Sequence, residues 1–323
     1  MIAPVENDPA GPVDNWQDLL SPENPFSSAK IIGENIPNDV YCRQEPNVKR
    51  GDLAFVMSRG ELMEFARCPH RWRAGYKEGG TAEKEWGSLI DALVSGESFS
   101  SRFVLVPETY PDAKTGKPKP WNFNATYCDE WRTQHEGKQL IKAAKWHDAE
   151  AAHKILLSDK QIASLIECSK RQVMFTAQYD DADTGLTIAV KGLIDFAPSA
   201  DSDFGRCLAD LKTCNTAAPF AWAKSVFEYG YHVQAAMYLD GWNKATGESR
   251  DDFRHILQES FAPWEVGKRW LTTDFIAIGR AKYKEALKRY CRALKDDEWE
   301  GYDDSGSMVI DGWRETQPLP YMV

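Results

Sequence analysis

Three carboxylates and one lysine are the residues whose types and spacing could do chemistry together. Asp91 falls in a stretch spaced as a helix, Asp195 ends the apolar run Leu193-Ile194, and Asp210 interrupts Leu208-Ala209-Asp210-Leu211 two residues before Lys212. Side chains on a strand repeat every two residues, so Asp210 and Lys212 share a face while Leu211 points the other way, into a core. A carboxylate inside an apolar strand is costly unless something compensates it, and two held side by side repel unless a cation lies between them. If the strands Leu186–Phe196 and Arg206–Thr213 pair, Asp195 lies beside Asp210. Hard oxygen ligands with no partnering His or Cys suit Mg²⁺, with Mn²⁺ as a substitute. A metal held there would polarise a phosphodiester and lower the pKa of a bound water for in-line attack. Lys212 would orient that water or stabilise the negative charge that builds up in the transition state.

Downstream, Tyr231-His232-Val233-Gln234-Ala235-Ala236-Met237-Tyr238 places Gln234 and Tyr238 one helical turn apart on one face. They read either as a buried polar seam or as groups that reach a phosphate or a metal-bound water. His232 points elsewhere and reads as structural.

The elements that must position these groups follow from periodicity. Ser58 is placed to cap a helix carrying Leu62, Phe65 and Ala66, and a second helix runs from Glu83 through Trp86, Leu89 and Ile90 to Val94. The proline-rich segment Pro107 to Trp121 reads as a loop. Residues 129–168 read as helical, with a break and cap at Ser158-Asp159. Strands follow at Gln172–Tyr179, Leu186–Phe196 and Arg206–Thr213, the first two joined by the turn Asp180–Gly185. One long helical stretch is expected from Pro219 to Lys244, then strands near Phe253–Gln258 and Trp264–Trp270 and a closing helix from Thr272 to Lys295. Helices before, between and after a mostly antiparallel meander make a mixed α/β core. Residues 1–50, rich in Pro, Asn, Asp and Glu, read as an extended or flexible arm, and residues 51–323 as one domain.

Composition narrows the function classes. The net charge of −10, from 39 Lys plus Arg against 49 Asp plus Glu, argues against a protein that coats nucleic acid, which needs concentrated positive charge. It leaves room for an enzyme with a local basic channel, and Arg67–Lys77, Lys114–Lys119 and Lys288–Lys295 are the basic stretches. No run of 18 apolar residues exists, so no membrane association is expected. The first residues lack the features of a secretion signal, and the seven scattered cysteines form no C-x-x-C pair, so a reduced cytoplasmic setting is expected.

The order Gly192-x-x-Asp195, then Asp210-x-Lys212, then Gln234-x-x-x-Tyr238 resembles the signature of PD-(D/E)XK nucleases of the RecB-like branch. More closely, the chain resembles RecE-like exonucleases. The matching stretches are Trp86-Gly87-Ser88-Leu89-Ile90-Asp91, Arg102 to Glu108, Asp183-Thr184-Gly185-Leu186, Asp210-Leu211-Lys212-Thr213, Tyr229 to Ala235 with Tyr238, and Asp297-Glu298-Trp299. The likeness runs from about Ser58 to Trp313. It implies a restriction-endonuclease-like core, a central mixed β-sheet flanked by helices. It also implies a Mg²⁺-dependent enzyme that degrades the 5′-ended strand of double-stranded DNA from its ends and leaves 3′ overhangs. Asp195, Asp210 and the Leu211 backbone carbonyl would hold the metal, with Asp91 where the family usually has His. Lys212 would be the catalytic lysine, and Gln234 and Tyr238 would complete the site. The resemblance further implies a ring-shaped homo-oligomer, encoded by a phage or prophage in a bacterial host, working with a RecT-type single-strand annealing protein. An endonuclease of the same fold and a silent DNA-end-binding protein are the alternatives. Ser58 to Trp72 also looks like the opening of iron–sulfur nucleases of this superfamily. Those need three further cysteines near the C-terminus, and here Cys291 alone follows Cys214, so no iron–sulfur cluster is expected.

Overall fold

Alternation of apolar residues along a few strands builds a sheet, and helices close over both of its faces. The computed structural model describes residues 23–76, 82–122 and 124–302. Its elements in chain order are β1 (Phe26–Gly33), α1 (Asn38–Cys42), β2 (Met57–Ser58), α2 (Arg59–Arg67), α3 (Pro69–Arg73), α4 (Ala82–Ser95) and α5 (Phe99–Arg102). They continue with β3 (Phe103–Val106), β4 (Thr109–Pro111), β5 (Pro118–Pro120), α6 (Thr126–Gln134), β6 (Gln139–Lys142), α7 (Ala143–Ser158) and α8 (Lys160–Glu167). The last are β7 (Ser169–Asp180), β8 (Thr187–Pro198), β9 (Cys207–Cys214), α9 (Pro219–Glu228), α10 (Tyr231–Thr246), β10 (Asp252–Glu259), β11 (Val266–Trp270) and α11 (Thr273–Asp296).

The main sheet has seven strands in the order β1-β7-β8-β9-β10-β11, with β2 added to β8. β7 and β8 form a long antiparallel hairpin, closed where the Asp181 carboxylate accepts the Thr184 backbone N–H at 2.9 Å. β9 and β10 are parallel, which requires a crossover rather than a tight turn, and α9 with α10 supplies it. The sheet is therefore mixed, as the fold class expected.

One face is closed by α2, α10 and α11 over a core that includes Met57, Phe65, Trp72, Phe175, Val190, Met237 and Tyr290. The other face is closed by α4, α7 and α8 over Leu89, Ile90, Phe103, Ala152, Leu156, Phe196, Ala209 and Ile256. Burying both faces explains why Leu208 and Ala209, neighbours on β9, are both inaccessible: each points into a different core.

Several expectations are corrected. The stretch from Pro219 to Lys244 is two helices, because Gly230 adopts φ 65° and turns the chain between them. The loop expected over Pro107–Trp121 contains the β4–β5 hairpin, and residues 126–142 hold both a helix and a strand. Of the expected arm, residues 1–22 lie outside the described residues, and its second half is built into the fold. β1 pairs along β7, and Phe26 is 1% exposed beneath α11. Residues 303–313 of the RecE-like stretch also lie outside the described residues. Ser58 does cap α2, accepting the Glu61 backbone N–H, and Asp159 caps α8. Among the described residues no helix is long and apolar enough to cross a membrane.

Candidate active site

The site begins with a gap in the sheet. One edge of β8 is paired along its length by β7, while the other is shared. β2 takes that second edge at Val190 and Lys191, and β9 meets it at Phe196 through Ala209. Between them, around Gly192 to Asp195, the strands part. Asp195 fills the opening with its side chain: Oδ2 accepts the Leu211 backbone N–H at 2.9 Å, replacing a ladder bond that β8 would otherwise make.

The gap lets both layers contribute to one place. Asp210 and Lys212 share the face of β9 that carries Leu208, toward α10. Gln234 reaches down from the first turns of α10 and donates from Nε2 to Asp210 Oδ1 at 2.6 Å. Asp210 is 2% exposed, and its Oδ2 lies in ion-pair contact with Lys212 Nζ. From the other layer, α4 brings Asp91 and lies close against β9, with the Gly87 Cα facing Thr213. These groups and Tyr238 line a cleft of about 1280 Å³. Asp91, Asp195, Asp210, Lys212, Gln234 and Tyr238 are thus brought together, and Leu211 lines the same cleft. His232 is held apart, its Nδ1 within 3.1 Å of the Val226 carbonyl.

The electrostatics are those of a crowded anionic site. Burial pushes the Asp195 carboxyl well above the usual carboxylate range, and the Asp210 carboxylate adds to the push while Lys212 opposes it. Burial likewise raises Asp91, with Arg102 opposing. The Tyr231 phenol beside Lys212 is raised by burial and by Asp210. The Lys212 ammonium lies 5.1 Å from the centre of that ring, a cation–π contact that fixes its direction.

Further residues, to which the sequence assigned no role, join the site. Arg59, the first residue of α2, enters through the gap because β2 ends there. Its Nη2 donates to Gln234 Oε1 at 3.0 Å and its Nη1 to the Tyr229 carbonyl at 3.0 Å, so Gln234 is oriented at both ends of its amide. Arg102 reaches Asp91, and Gln172 of β7 donates toward both Asp91 and Asp195. Tyr41 of α1 lines the cleft, its hydroxyl 3.5 Å from the Lys191 carbonyl. Arg59 and Arg102 stand in stretches that carry family resemblance, Ser58–Trp72 and Arg102–Glu108, and Gln172 and Tyr41 stand in none. A signal existed for Tyr231, which stands inside the Tyr231–Tyr238 stretch.

Among the described residues no three Asp, Glu, His or Cys side chains stand together as a ready metal cage. The donor set nevertheless fits Mg²⁺, which keeps several waters and needs one or two carboxylates. The side chains facing one another are hard oxygen donors, and the buried Asp210 Oδ2 has the Lys212 ammonium as its neighbour. In a strand, a residue's N–H and C=O point to the same side, so the Leu211 carbonyl lies on the side of Asp195 as its N–H does.

The fold resembles that of a solved candidate exonuclease from Eubacterium rectale, with a TM-score of 0.55 and 15% sequence identity over 89% of this chain and 95% of that one. Rai1 from Candida albicans, solved with pU5 and Mn²⁺, overlaps with a TM-score of 0.23 at 12% identity, covering 67% of this chain and 68% of its own. Rai1 from Scheffersomyces stipitis overlaps at 0.24 and 7% identity, covering 84% and 76%. The two Rai1 overlaps are too low to carry an argument. Among curated proteins, none matches the chain. The family described as a PDDEXK-like domain of unknown function (DUF3799) matches residues 58–308, from the cap of α2 past the end of α11, and the chain belongs to that family.

Proposed function

We propose that the chain is a Mg²⁺-dependent exonuclease that degrades the 5′-ended strand of duplex DNA and leaves 3′ overhangs for recombination by strand annealing. One observation carries the nuclease reading: Asp195, Asp210 and Lys212 converge at the break between β8 and β9, on the floor of a large open cleft. Asp195, Asp210 and the Leu211 carbonyl would hold the ion. When bound, it supplies Lewis-acid polarisation of the scissile phosphodiester and a more acidic attacking water.

The chain's own groups do the rest. Gln234, clamped by Arg59, fixes Asp210 by donating to Oδ1 and leaves Oδ2 to Lys212. Lys212 Nζ faces the same space, where its positive charge would stabilise the extra negative charge on the phosphate oxygens. The walls carry Tyr41, Tyr76, Tyr229 and Tyr231, faces on which unstacked bases could rest. The exonuclease reading rests on the RecE-like motif order and on the similarity to the solved candidate exonuclease. The ring oligomer and the RecT-type partner rest on the RecE-like motif order.

The test is digestion of linear blunt duplex labelled separately at each 5′ and 3′ end, with Mg²⁺ and with or without a 5′-phosphate. Early loss of the 5′ label with 3′ overhangs remaining is the expected result. Absence of nucleotide release would overturn the nuclease reading, and cutting of covalently closed circles would replace exonuclease by endonuclease.

A further inference from the structure

Gln172 combines a rare backbone conformation with an unusual pair of partners. It lies within β7, yet its φ is 46°, in the left-handed region that a residue of this size rarely adopts. The hairpin register passes from Arg171–Phe196 to Val173–Ile194, so Gln172 and Asp195 lie opposite one another without a ladder pairing. This local twist turns the side chain into the cleft. There Nε2 is 2.9 Å from Asp91 Oδ1 and 3.4 Å from Asp195 Oδ1. An amide nitrogen donates and cannot accept, and it carries two hydrogens, one for each carboxylate.

Asp91 is therefore engaged on both oxygens, since Oδ2 faces Arg102 Nη1 at 3.5 Å. The Asp91–Asp195 space holds an N–H donor where two carboxylates alone would call for a cation. The Asp195–Asp210 space holds no bridging amide: Asp210 Oδ2 faces the Lys212 ammonium, and Asp195 meets β9 through the Leu211 N–H. The charge balance points the same way. Asp91, Glu97, Asp195 and Asp210 against Arg59, Arg102 and Lys212 leave one net negative charge. A single divalent ion would turn that into one positive charge, whereas a pair would leave three in a buried site.

Building on the metal-dependent reading above, we infer that Gln172 occupies the place of a second cation, so the site takes one divalent ion, between Asp195 and Asp210. Asp91 then acts through Gln172, as a positioning residue that holds Asp195, and does not itself ligate the metal. This makes Gln172 the residue that sets the metal stoichiometry of the site.

The test counts Mn²⁺ on the full chain by calorimetry and by electron paramagnetic resonance, with and without a duplex end. Wild type should take one Mn²⁺ per chain with a spectrum of an isolated ion. Gln172→Glu places a carboxylate where the amide stands, and should raise the count to two with the loss of signal that spin coupling brings. Two coupled ions on wild type would overturn the inference while leaving the metal-dependent reading intact. A Gln172→Glu chain that still takes one ion would overturn the role given to Gln172. No Mn²⁺ on wild type, with or without DNA, would overturn the metal reading itself and this inference with it. The wild-type count decides even where the variant fails to fold.

Discussion

At the scale of single residues, the site is a set of acids kept apart by donors. In the proposed reaction Lys212 is the group aimed at developing charge, and removing a preorganised charge-stabilising donor typically costs about 10²–10³-fold in turnover. Lys212→Ala should lose that much nuclease activity while still binding Mn²⁺, which calorimetry on the same preparation would check. Arg59 acts one step further out, through the Gln234 amide. Arg59→Gln removes a charge-assisted hydrogen bond worth about 1.5–3 kcal/mol, so a loss of roughly ten- to a hundredfold is expected. Unchanged kinetics for Arg59→Gln would show that Gln234 needs no second anchor. Asp195, Asp210, Lys212, Gln234 and Tyr238 could be named from sequence because their spacing matches strand and helix periods. Gln172 and Tyr41 could not, and Arg59 and Arg102 stood in resembling stretches without a role, since each arrives from an element remote in the chain and its partner is set by packing.

At the scale of elements, close approach of helices to the sheet and to each other decides what is tolerated. A Cβ on Gly279 of α11 would meet the His232 carbonyl at 2.0 Å, and one on Gly241 of α10 would meet the Phe175 ring at 2.1 Å. Backbone cannot give way as a side chain can, so Gly279→Ala should cost the usual overpacking penalty of about 1–3 kcal/mol or more. Thermal melting should show a midpoint lowered by several degrees, and an unchanged midpoint would mean that α11 can slide.

Beneath the site, β10 carries His255, which is 0% exposed among the rings of Trp222, Tyr231 and Phe253 with neither ring nitrogen hydrogen-bonded. Burial lowers its pKa to about 3. The unfolded chain then binds a proton near pH 6.5 that the folded chain refuses, so stability is present above that pH and is lost as pH falls toward 3. Between about pH 7 and pH 5 the loss from this group is roughly 2 kcal/mol. His255→Phe should flatten the acid side of the midpoint-against-pH curve. A curve of unchanged slope would place the titrating group elsewhere.

At the scale of the whole molecule, the first strand is an integral part of the fold. β1 covers the free edge of β7, and Phe26 stacks on Tyr283 of α11, with ring centres 5.9 Å apart. Nearby, the fully sequestered Tyr283 shares Asp240 with Arg280, tying α10 to α11. A chain that begins after residue 37 would lose the whole of β1 and bare the β7 edge, and should be recovered aggregated or with a much lower melting point. A soluble, equally stable truncation would show β1 to be dispensable.

The anionic cleft also sets a charge balance for the whole fold. Asp91 and Asp195 bind protons more tightly folded than unfolded, so from about pH 3.9 upward to their raised values the metal-free fold loses stability as pH rises. A divalent ion binds the ionised forms. The melting-point gain on adding Mn²⁺ should therefore be larger at about pH 8 than at about pH 5, and an equal gain at both would place the ion elsewhere.

The amino-acid sequence by itself determined the periodic elements and the polar residues embedded in them. Strand alternation put Asp210 and Lys212 on one face, helical spacing put Gln234 four residues before Tyr238, and capping residues marked where α2 and α8 begin. These are local properties, set by backbone geometry within a few residues. Tertiary structure decided where the β8 edge is left open, which places Asp195 against Leu211 and admits Arg59. It also decided that the Pro219–Lys244 stretch bends at Gly230, that residues 26–33 close the sheet, and that the Gln172 amide separates two carboxylates. Each of those depends on strands and helices far apart in the chain meeting at a fixed register, and no local period encodes that register.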